Sequence, residues 1–424
     1  MKNQFKFIVF GALLSSVFCS RESLAQEKTE LQYFRQNSKE GLNVFETPKE
    51  RGGDFEKVRV FVGGDFALQF QSINHSNFLN NLVELGSNFN LPSANLNLNT
   101  QLAQGLRLHL RVYLSSKHHN ESWVKGGYLQ VDRLDFIKEG FLDGIMDYTT
   151  FTFGMDEFNY GDAHFRRSDN ARVIYNPFIG NYIMDSFSTE AFGEVTVQRN
   201  GFLAVAGLSN GKLNQNVTVN DNSDNKISFY GKLGYDNQIS DDFRLRFTGS
   251  WYLNNGTTTG TWLYGGDRAG GRYYHIMDEL QGTSNDFEGR FNPRFKQMTA
   301  LQFNPFIKYK GLEFFGILES VGNSEDEGDG NFTQLAGELL YRFGRTEQFY
   351  LGGRYNTVKG KSRDSDPENI EISRINVGGG WFLTQNVIVK LEYMNQEYKN
   401  GFALNSKYYQ GKFSGINIEA AISF

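Results

Sequence analysis

Apolar and polar residues alternate along most of the chain beyond residue 57. The clearest run is 106–114, where leucine or valine occupies every second position and Arg107, His109 and Arg111 lie between them. A period of two gives an extended strand with one apolar and one polar face. We therefore predict a β-strand at 106–114, and the same pattern predicts a last strand that runs to Phe424.

The alternating segments number sixteen, and short and long connections join them in turn. The short connections carry residues typical of tight turns, as at Gln104-Gly105 and Asn200-Gly201. An even number of strands, with short turns at one end and long loops at the other, is typical of membrane barrels. A soluble sandwich would show regularly spaced turns without this rhythm. We therefore predict an all-β fold, a transmembrane antiparallel β-barrel of sixteen strands.

The chain before residue 58 does not alternate. Lys2 and Lys6 precede a short apolar stretch, and the segment 23–25 offers small residues for cleavage by a signal peptidase. We predict a signal peptide at 1–25, a polar periplasmic N-terminal arm at 26–57 and the barrel at 58–424. Cys19, the only cysteine, lies within the predicted signal peptide, which suits an exported protein without disulfides.

Composition and charge narrow the functional classes. The chain has a mean hydropathy of −0.48, and no apolar run after residue 25 reaches the roughly 18–20 residues of a spanning helix. The net charge is −5 and becomes −7 without residues 1–25, which hold three basic residues and one acidic residue. An acidic balance argues against nucleic-acid binding. Aromatic residues at strand ends predict girdles at the membrane interfaces: Trp123, Tyr309, Phe343, Phe349, Trp381, Phe382 and Phe424.

A barrel of sixteen strands is wide enough to hold water, because only about eight strands fill their own interior. If the apolar positions face lipid, the residues between them line the lumen. The predicted lumen-lining residues of the third and ninth strands are Arg107, His109, Arg111, Arg244 and Arg246. Basic linings favour anions, although each arginine could instead pair with an acid across the strands. Arg107 and Arg111 are predicted to be unpaired, because no acid lies between them.

The third long loop, residues 159–188, is too apolar to project into water. We expect it to fold into the lumen and narrow it, because loops of this composition pack on a surface. A lid or a contact between subunits would need the same composition. The charged residues predicted to line the constriction are Asp162, His164, Arg166, Arg167, Asp169 and Arg172. With Asp185 the loop has as many acids as arginines, so its charges predict no strong selectivity for either anions or cations.

These features together resemble bacterial outer-membrane porins. The stretch 153–158, Phe-Gly-Met-Asp-Glu-Phe, leads into a loop with Arg166 and Arg167 and is similar to the phosphate-selective porin family. That resemblance implies a homotrimer that passes anions guided by basic residues of the lumen. It also implies that the terminal Phe424 is read by the barrel-assembly machinery. The balanced third loop and the acidic net charge differ from that family.

The sequence therefore predicts a porin of the Gram-negative outer membrane, in contact with its lipid, that lets small hydrophilic solutes diffuse with a weak anion preference. The alternatives are a substrate-specific, phosphate-type anion channel and, with less support, an enzyme active at the barrel rim, for which His118 and His119 are the candidates. The segment 325–330 is rich in oxygen ligands for Ca²⁺ but lacks the full spacing of a calcium loop, so a solvated acidic loop is preferred. We predict no cofactor, no metal site and no catalytic residue.

Overall fold

The computed structural model describes residues 31–49, 55–114, 122–212, 226–256, 262–265, 272–282, 289–295, 297–323, 330–363 and 365–424. The predicted signal peptide, His118 and His119 lie outside the described residues, as does all of the acidic segment 325–330 except Gly330.

The structure confirms the sixteen predicted strands. They are β1 Arg59–Ser76, β2 Ser93–Ala103, β3 Leu106–Leu114, β4 Ser122–Val131, β5 Thr149–Asp156, β6 Glu190–Arg199, β7 Phe202–Ser209, β8 Ser228–Ser240, β9 Phe243–Asn254, β10 Met298–Tyr309, β11 Leu312–Gly322, β12 Asn331–Phe343, β13 Phe349–Lys361, β14 Ile370–Phe382, β15 Val387–Tyr398 and β16 Lys412–Ser423. A two-residue strand, Asn88–Phe89, pairs with β1 beside β2.

The sheet closes into a barrel because its first and last strands pair. Each strand is antiparallel to the next, and β1 pairs with β16 from Asp65 opposite Ser423 to Ser76 opposite Lys412. The seam continues for one more residue, where the N–H groups of Gly64 and Phe424 each donate to the other's carbonyl oxygen at 2.9 and 3.0 Å. The predicted closing position of the last strand is therefore confirmed.

Connections follow the predicted rhythm of short turns and long loops. Asn200 and Gly201 have φ of 52° and 82°, as a type I′ hairpin turn requires at both central positions. The longer turn after β4 holds the α-helical turn Asp143–Met146. Other helical segments are the 3₁₀ turns Lys39–Gly41, Ala163–Phe165 and Trp262–Tyr264. No helix in the described part of the chain has the length and apolar character needed to cross a bilayer.

Alternation along the strands separates two faces of the sheet. On β3, Leu108 is 39% exposed whereas Arg107 is 2% exposed. We call the apolar, exposed side the outer face and the buried, polar side the inner face. Phe343, Phe349 and Trp381 stack in series on the outer face, with centroid distances of 5.6 and 5.7 Å, as a girdle would. The girdle prediction is wrong for Phe382, which is buried because its neighbour Trp381 takes the outward position.

Apolar residues of the third long loop pack against the inner face. Val173, Ile174 and Phe178 belong to one buried cluster with Tyr350 of β13 and Ile388 of β15. Contact with these strands accounts for the apolar composition of the loop, since the same side chains would otherwise meet water. These residues of the loop are therefore packed against the buried face of the sheet.

Candidate functional site: the charged interior of the barrel

Three basic residues project from β3 to the inner face in the predicted alternation. Arg107 donates to Gln130 at 2.6 Å and to Asn99 at 3.3 Å. His109 Nδ1 lies 2.8 Å from the same Asn99 oxygen. These partners are neutral amides, so the positive charge of Arg107 is hydrogen-bonded but not neutralised by them.

Arg111 differs from Arg107 because two carboxylates meet it. Its guanidinium lies 3.2 Å from Asp169 of the third long loop and 3.8 Å from Asp156 at the end of β5. The prediction that Arg111 is unpaired is therefore wrong. An acid from a distant loop supplies the partner, and the sequence spacing along β3 carries no signal of it. Lys125 also pairs with Asp169, so two cations share this carboxylate.

The two arginines of β9 are both engaged by carboxylates. Arg244 forms a two-pronged pair with Asp236 of β8, at 2.8 and 2.7 Å, and remains a quarter exposed. Arg246 is buried and meets Asp162 of the loop through Nε and Nη2, both at 2.8 Å. Glu46 of the N-terminal segment lies 2.7 Å from Arg246 as well. Arg246 therefore ties the loop and the N-terminal segment to the barrel wall.

Two arginines of the loop are also buried in ion pairs. Arg166 lies 2.6 Å from Glu313 of β11 and 3.5 Å from Glu338 of β12. Arg167 lies 2.6 Å from Glu157 and 2.9 Å from Asp185, both outside the strands. Because a buried charge needs a partner, the pairs of Arg166 hold the loop against the inner face. The pairs of Arg167 instead join parts of the loop region to each other.

The loop aspartates are ionised anchors. Burial by itself would raise the pKa of Asp162, but Arg246 and Lys232 outweigh it and hold that pKa well below its usual range. Lys232 lies 2.8 Å from Asp162 and is itself buried. Burial opposes ionisation of Asp169 too, and Lys125 with Arg111 lowers its pKa in the same way. Both carboxylates therefore remain charged at neutral pH.

His164 and Arg172 are the predicted constriction residues that border a larger open space. Both line a cavity of about 180 Å³ in the barrel interior, called the central cavity here. Burial lowers the pKa of His164 well below its usual value, and Lys232 and Arg167 add to this effect, so His164 is neutral at pH 7. Burial raises the pKa of Glu157, at the same cavity, to about 7; Asp169 and Asp156 reinforce the shift although Arg167 opposes it.

A second cavity, of about 420 Å³, opens at the end of the barrel where the short turns and Phe424 lie. We call this end the short-turn end and this space the basic cavity. Its charged lining consists of four arginines and one acidic side chain, with His109 beside them: Arg35, Arg107, Arg111, Arg172 and Glu40. The basic and central cavities share Arg35, Arg111 and Arg172, so they adjoin at these residues.

The central cavity is electrostatically different. Three arginines and four carboxylates line it: Arg35, Arg111, Arg172, Glu46, Asp156, Glu157 and Glu194. Beyond Glu157 and His164, the next space holds only about 10 Å³, about the room for one water molecule. The described space beside these two residues is therefore small.

Sequence reasoning missed the contribution of the N-terminal segment to this interior. Arg35 donates through Nη2 to the carbonyl of Phe165 at 2.9 Å, and its guanidinium lies 3.8 Å from the centroid of the Tyr175 ring. Burial lowers the pKa of Arg35, but Arg35 stays protonated at neutral pH because arginine starts so high. Leu31, Phe34 and Phe45, apolar residues in a polar stretch, are the signal that could have indicated packing.

Two further histidines contact protein oxygen atoms. The exposed His275 lies 2.9 Å from the buried Asp278, and His75 contacts the carbonyl of Val83 at 2.6 Å. No group of three or more His, Cys, Asp or Glu side chains among the described residues is placed to hold a metal ion.

Comparisons with known proteins agree on the fold. No protein-family model matches the chain, and no curated protein matches it in sequence. Similar solved structures include an anion-selective porin from Comamonas acidovorans, 11% identical over 87% of this chain and 100% of that one, with a TM-score of 0.52. OprB of Pseudomonas putida is 10% identical over 86% and 94% of the two chains, with a TM-score of 0.51. OmpT, an outer membrane protein of Vibrio cholerae, is 12% identical over 88% and 99%, with a TM-score of 0.50. The chain thus has the sixteen-stranded transmembrane barrel fold of outer-membrane porins.

Proposed function

We propose that the protein is a porin of the Gram-negative outer membrane through which small hydrophilic solutes diffuse passively, with a weak preference for anions. The apolar outer face suits contact with lipid, and the adjoining cavities of the interior suit a path for solutes. On this proposal the short-turn end faces the periplasm, as in other single-chain barrels.

The observation that carries the proposal is the charge of the basic cavity. Among the described residues, Arg35, Arg107 and Arg172 have no carboxylate within ion-pair distance, and all three line this cavity. Uncompensated positive charges beside a narrow aqueous space raise the local concentration of anions and lower that of cations.

The central cavity explains why the preference is expected to be weak. An anion that leaves the basic cavity meets Glu157, Glu194 and Asp156 in the central cavity before it reaches the small space beside Glu157 and His164. These carboxylates repel anions and attract cations, so the two cavities partly cancel each other. We propose that the third long loop, through Phe165 and His164, forms the constriction at this point.

A substrate-specific anion channel of the phosphate type is the second candidate. The same three arginines line the basic cavity together with Asn97 and Asn99, a donor-rich setting that suits an oxyanion. Single-channel recording in planar bilayers distinguishes the two. Current that rises in proportion to phosphate concentration supports a general porin, whereas current that saturates at low phosphate supports a specific channel.

Measurement of reversal potential tests the anion preference itself. Purified protein is inserted into a planar bilayer between unequal KCl solutions, and the voltage of zero current gives the permeability ratio of Cl⁻ to K⁺. A ratio above one supports the proposal. A ratio below one contradicts the anion preference, and the absence of any channel current contradicts the porin function.

The assembly partners stay predictions. A homotrimer would be seen as a species of three times the monomer mass in detergent, by light scattering or chemical cross-linking. Recognition of Phe424 by the barrel-assembly machinery would be seen as slower insertion of a Phe424→Ala chain into outer-membrane vesicles.

A further inference from the structure

The N-terminal segment 31–49 crosses the short-turn end of the barrel and is anchored on several sides of it. The N–H of Lys39 donates to the carbonyl of Gln385, in the turn between β14 and β15, at 2.7 Å. Asn43 donates to Glu313 of β11 at 2.8 Å. The anchors therefore begin on one side of the ring of strands.

Further anchors reach the opposite side. Glu46 pairs with Arg246 of β9 at 2.7 Å. Gln198 of β6 donates to the carbonyl of Thr47 at 2.9 Å. Lys49 lies 3.0 Å from Asp132, the residue that follows β4. Contacts at β4, β6, β9, β11 and the β14–β15 turn show that the segment spans the opening rather than following one wall.

Three of the cavities lined by described residues border this segment. Phe45, Glu46 and Thr47 line the central cavity, and Thr47 also lines the basic cavity with residues 34–38. A third cavity, of about 530 Å³, lies on the other side of the segment and is lined by Val44, Pro48 and Lys49. The segment is therefore the partition between the spaces at this end.

The basic cavity and the third cavity, which both border the segment, carry different charges. The third cavity is lined by Lys49, Arg199, Arg244 and Arg246 together with Glu46 and Asp236. Of these cations, Arg244 and Arg246 are held by the same two acids, so the net field is smaller than in the basic cavity. Anions therefore favour the basic cavity, to whose lining the segment contributes Arg35.

We propose that residues 31–49 form a fixed internal strap that divides the short-turn end of the lumen, limits the size of the solutes that pass, and places Arg35 on the anion side. The inference rests on the proposed porin function. The strap would limit the size of solutes at the short-turn end through a segment outside the barrel strands. This limit is additional to the constriction proposed for the third long loop.

Cysteine modification tests the strap in the complete chain. Gln36 is half-buried and lines the basic cavity, and its backbone carbonyl oxygen accepts a hydrogen bond from the Tyr175 hydroxyl. Gln36→Cys, treated with a cationic methanethiosulfonate reagent, is expected to lose single-channel current stepwise as each adduct fills part of the cavity. Ser240→Cys is the matched control, because Ser240 is exposed at the same end and lines none of the three cavities.

The outcomes separate the strap from the porin function. No current from the untreated wild type overturns the porin function. Normal current that treatment of Gln36→Cys leaves unchanged, or an equal loss in Ser240→Cys and wild type, overturns the strap. A chain without residues 31–49 is expected to show a larger conductance, because the three cavities would join; a folded variant with wild-type conductance also overturns the strap. If this deletion does not fold, the cysteine measurement decides alone.

Discussion

Arg172→Ala tests the origin of the proposed anion preference. Arg172 borders both the basic and the central cavity, stacks near Tyr175 at 5.0 Å and has no carboxylate partner among the described residues. Its removal therefore changes the field along the path without leaving a buried acid unpaired. We expect the barrel to fold normally and the preference for anions to fall.

The size of the effect follows from Coulomb's law. An anion about 6 Å from the guanidinium in water gains about 0.7 kcal/mol from one unit charge, of which about 0.4 kcal/mol survives screening at about 0.1 M salt. Losing about 0.4 kcal/mol lowers the anion population about twofold and raises the cation population by the same factor. The Cl⁻ to K⁺ permeability ratio is therefore expected to fall about fourfold.

Reversal potential under a KCl gradient measures this ratio, with Arg345→Ala as the control. Arg345 lies exposed in the short turn between β12 and β13 and lines none of the described cavities. The Arg345→Ala substitution removes the same charge at the same end of the barrel. An unchanged ratio in Arg172→Ala, or an equal fall in both variants, would refute the reasoning that local cavity charge sets the preference.

Three other measurements test the interior. Arg246→Ala leaves the buried carboxylates of Asp162 and Glu46 short of a partner, so we expect a loss of about 3–5 kcal/mol of stability, seen as a lower temperature for loss of the folded band on gels. Glu157 has a raised pKa of about 7; it loses its negative charge as pH falls through that value, so anion preference should rise from pH 8 to pH 6 in wild type but not in Glu157→Gln. Phe165→Ala should raise conductance, because the ring borders the central cavity.

For each of these three predictions, one result would contradict the reasoning. An unchanged melting temperature in Arg246→Ala would mean that the loop is not anchored through this ion pair. A pH dependence that persists in Glu157→Gln would assign it to another group. Unchanged conductance in Phe165→Ala would place the limiting width elsewhere, for instance at the segment 31–49.

The strands were predictable because their signal is local. Side-chain direction in a strand depends only on parity, so Arg107, Arg246 and Leu108 could be assigned to the correct face from the sequence. The closure of the barrel followed from the even count and the alternating connections. Alternation alone does not fix strand ends: β1 continues to Ser76 because its polar residues beyond Phe70 pair with β16.

The pairing of charges inside the barrel could not be predicted in this way. Asp169 reaches Arg111 from a loop without periodicity, across 58 positions of chain. Glu46 reaches Arg246 across 200 positions. Neither separation follows from a repeat, because the loop and the N-terminal segment take their paths from packing against the inner face. The sequence thus predicted which residues face inward but not which of them keep a free charge.

The seam between β1 and β16 has a consequence for how the molecule forms. The Ser423 hydroxyl donates to Asp65 at 2.8 Å, across 358 positions of chain. Ring closure of this kind joins residues that are far apart in the sequence, and contacts of such high contact order form slowly. Until the last strand arrives, β1 presents an open edge that can pair with another chain. The newly made polypeptide must therefore be kept unfolded and apart from its copies until its final residues are available.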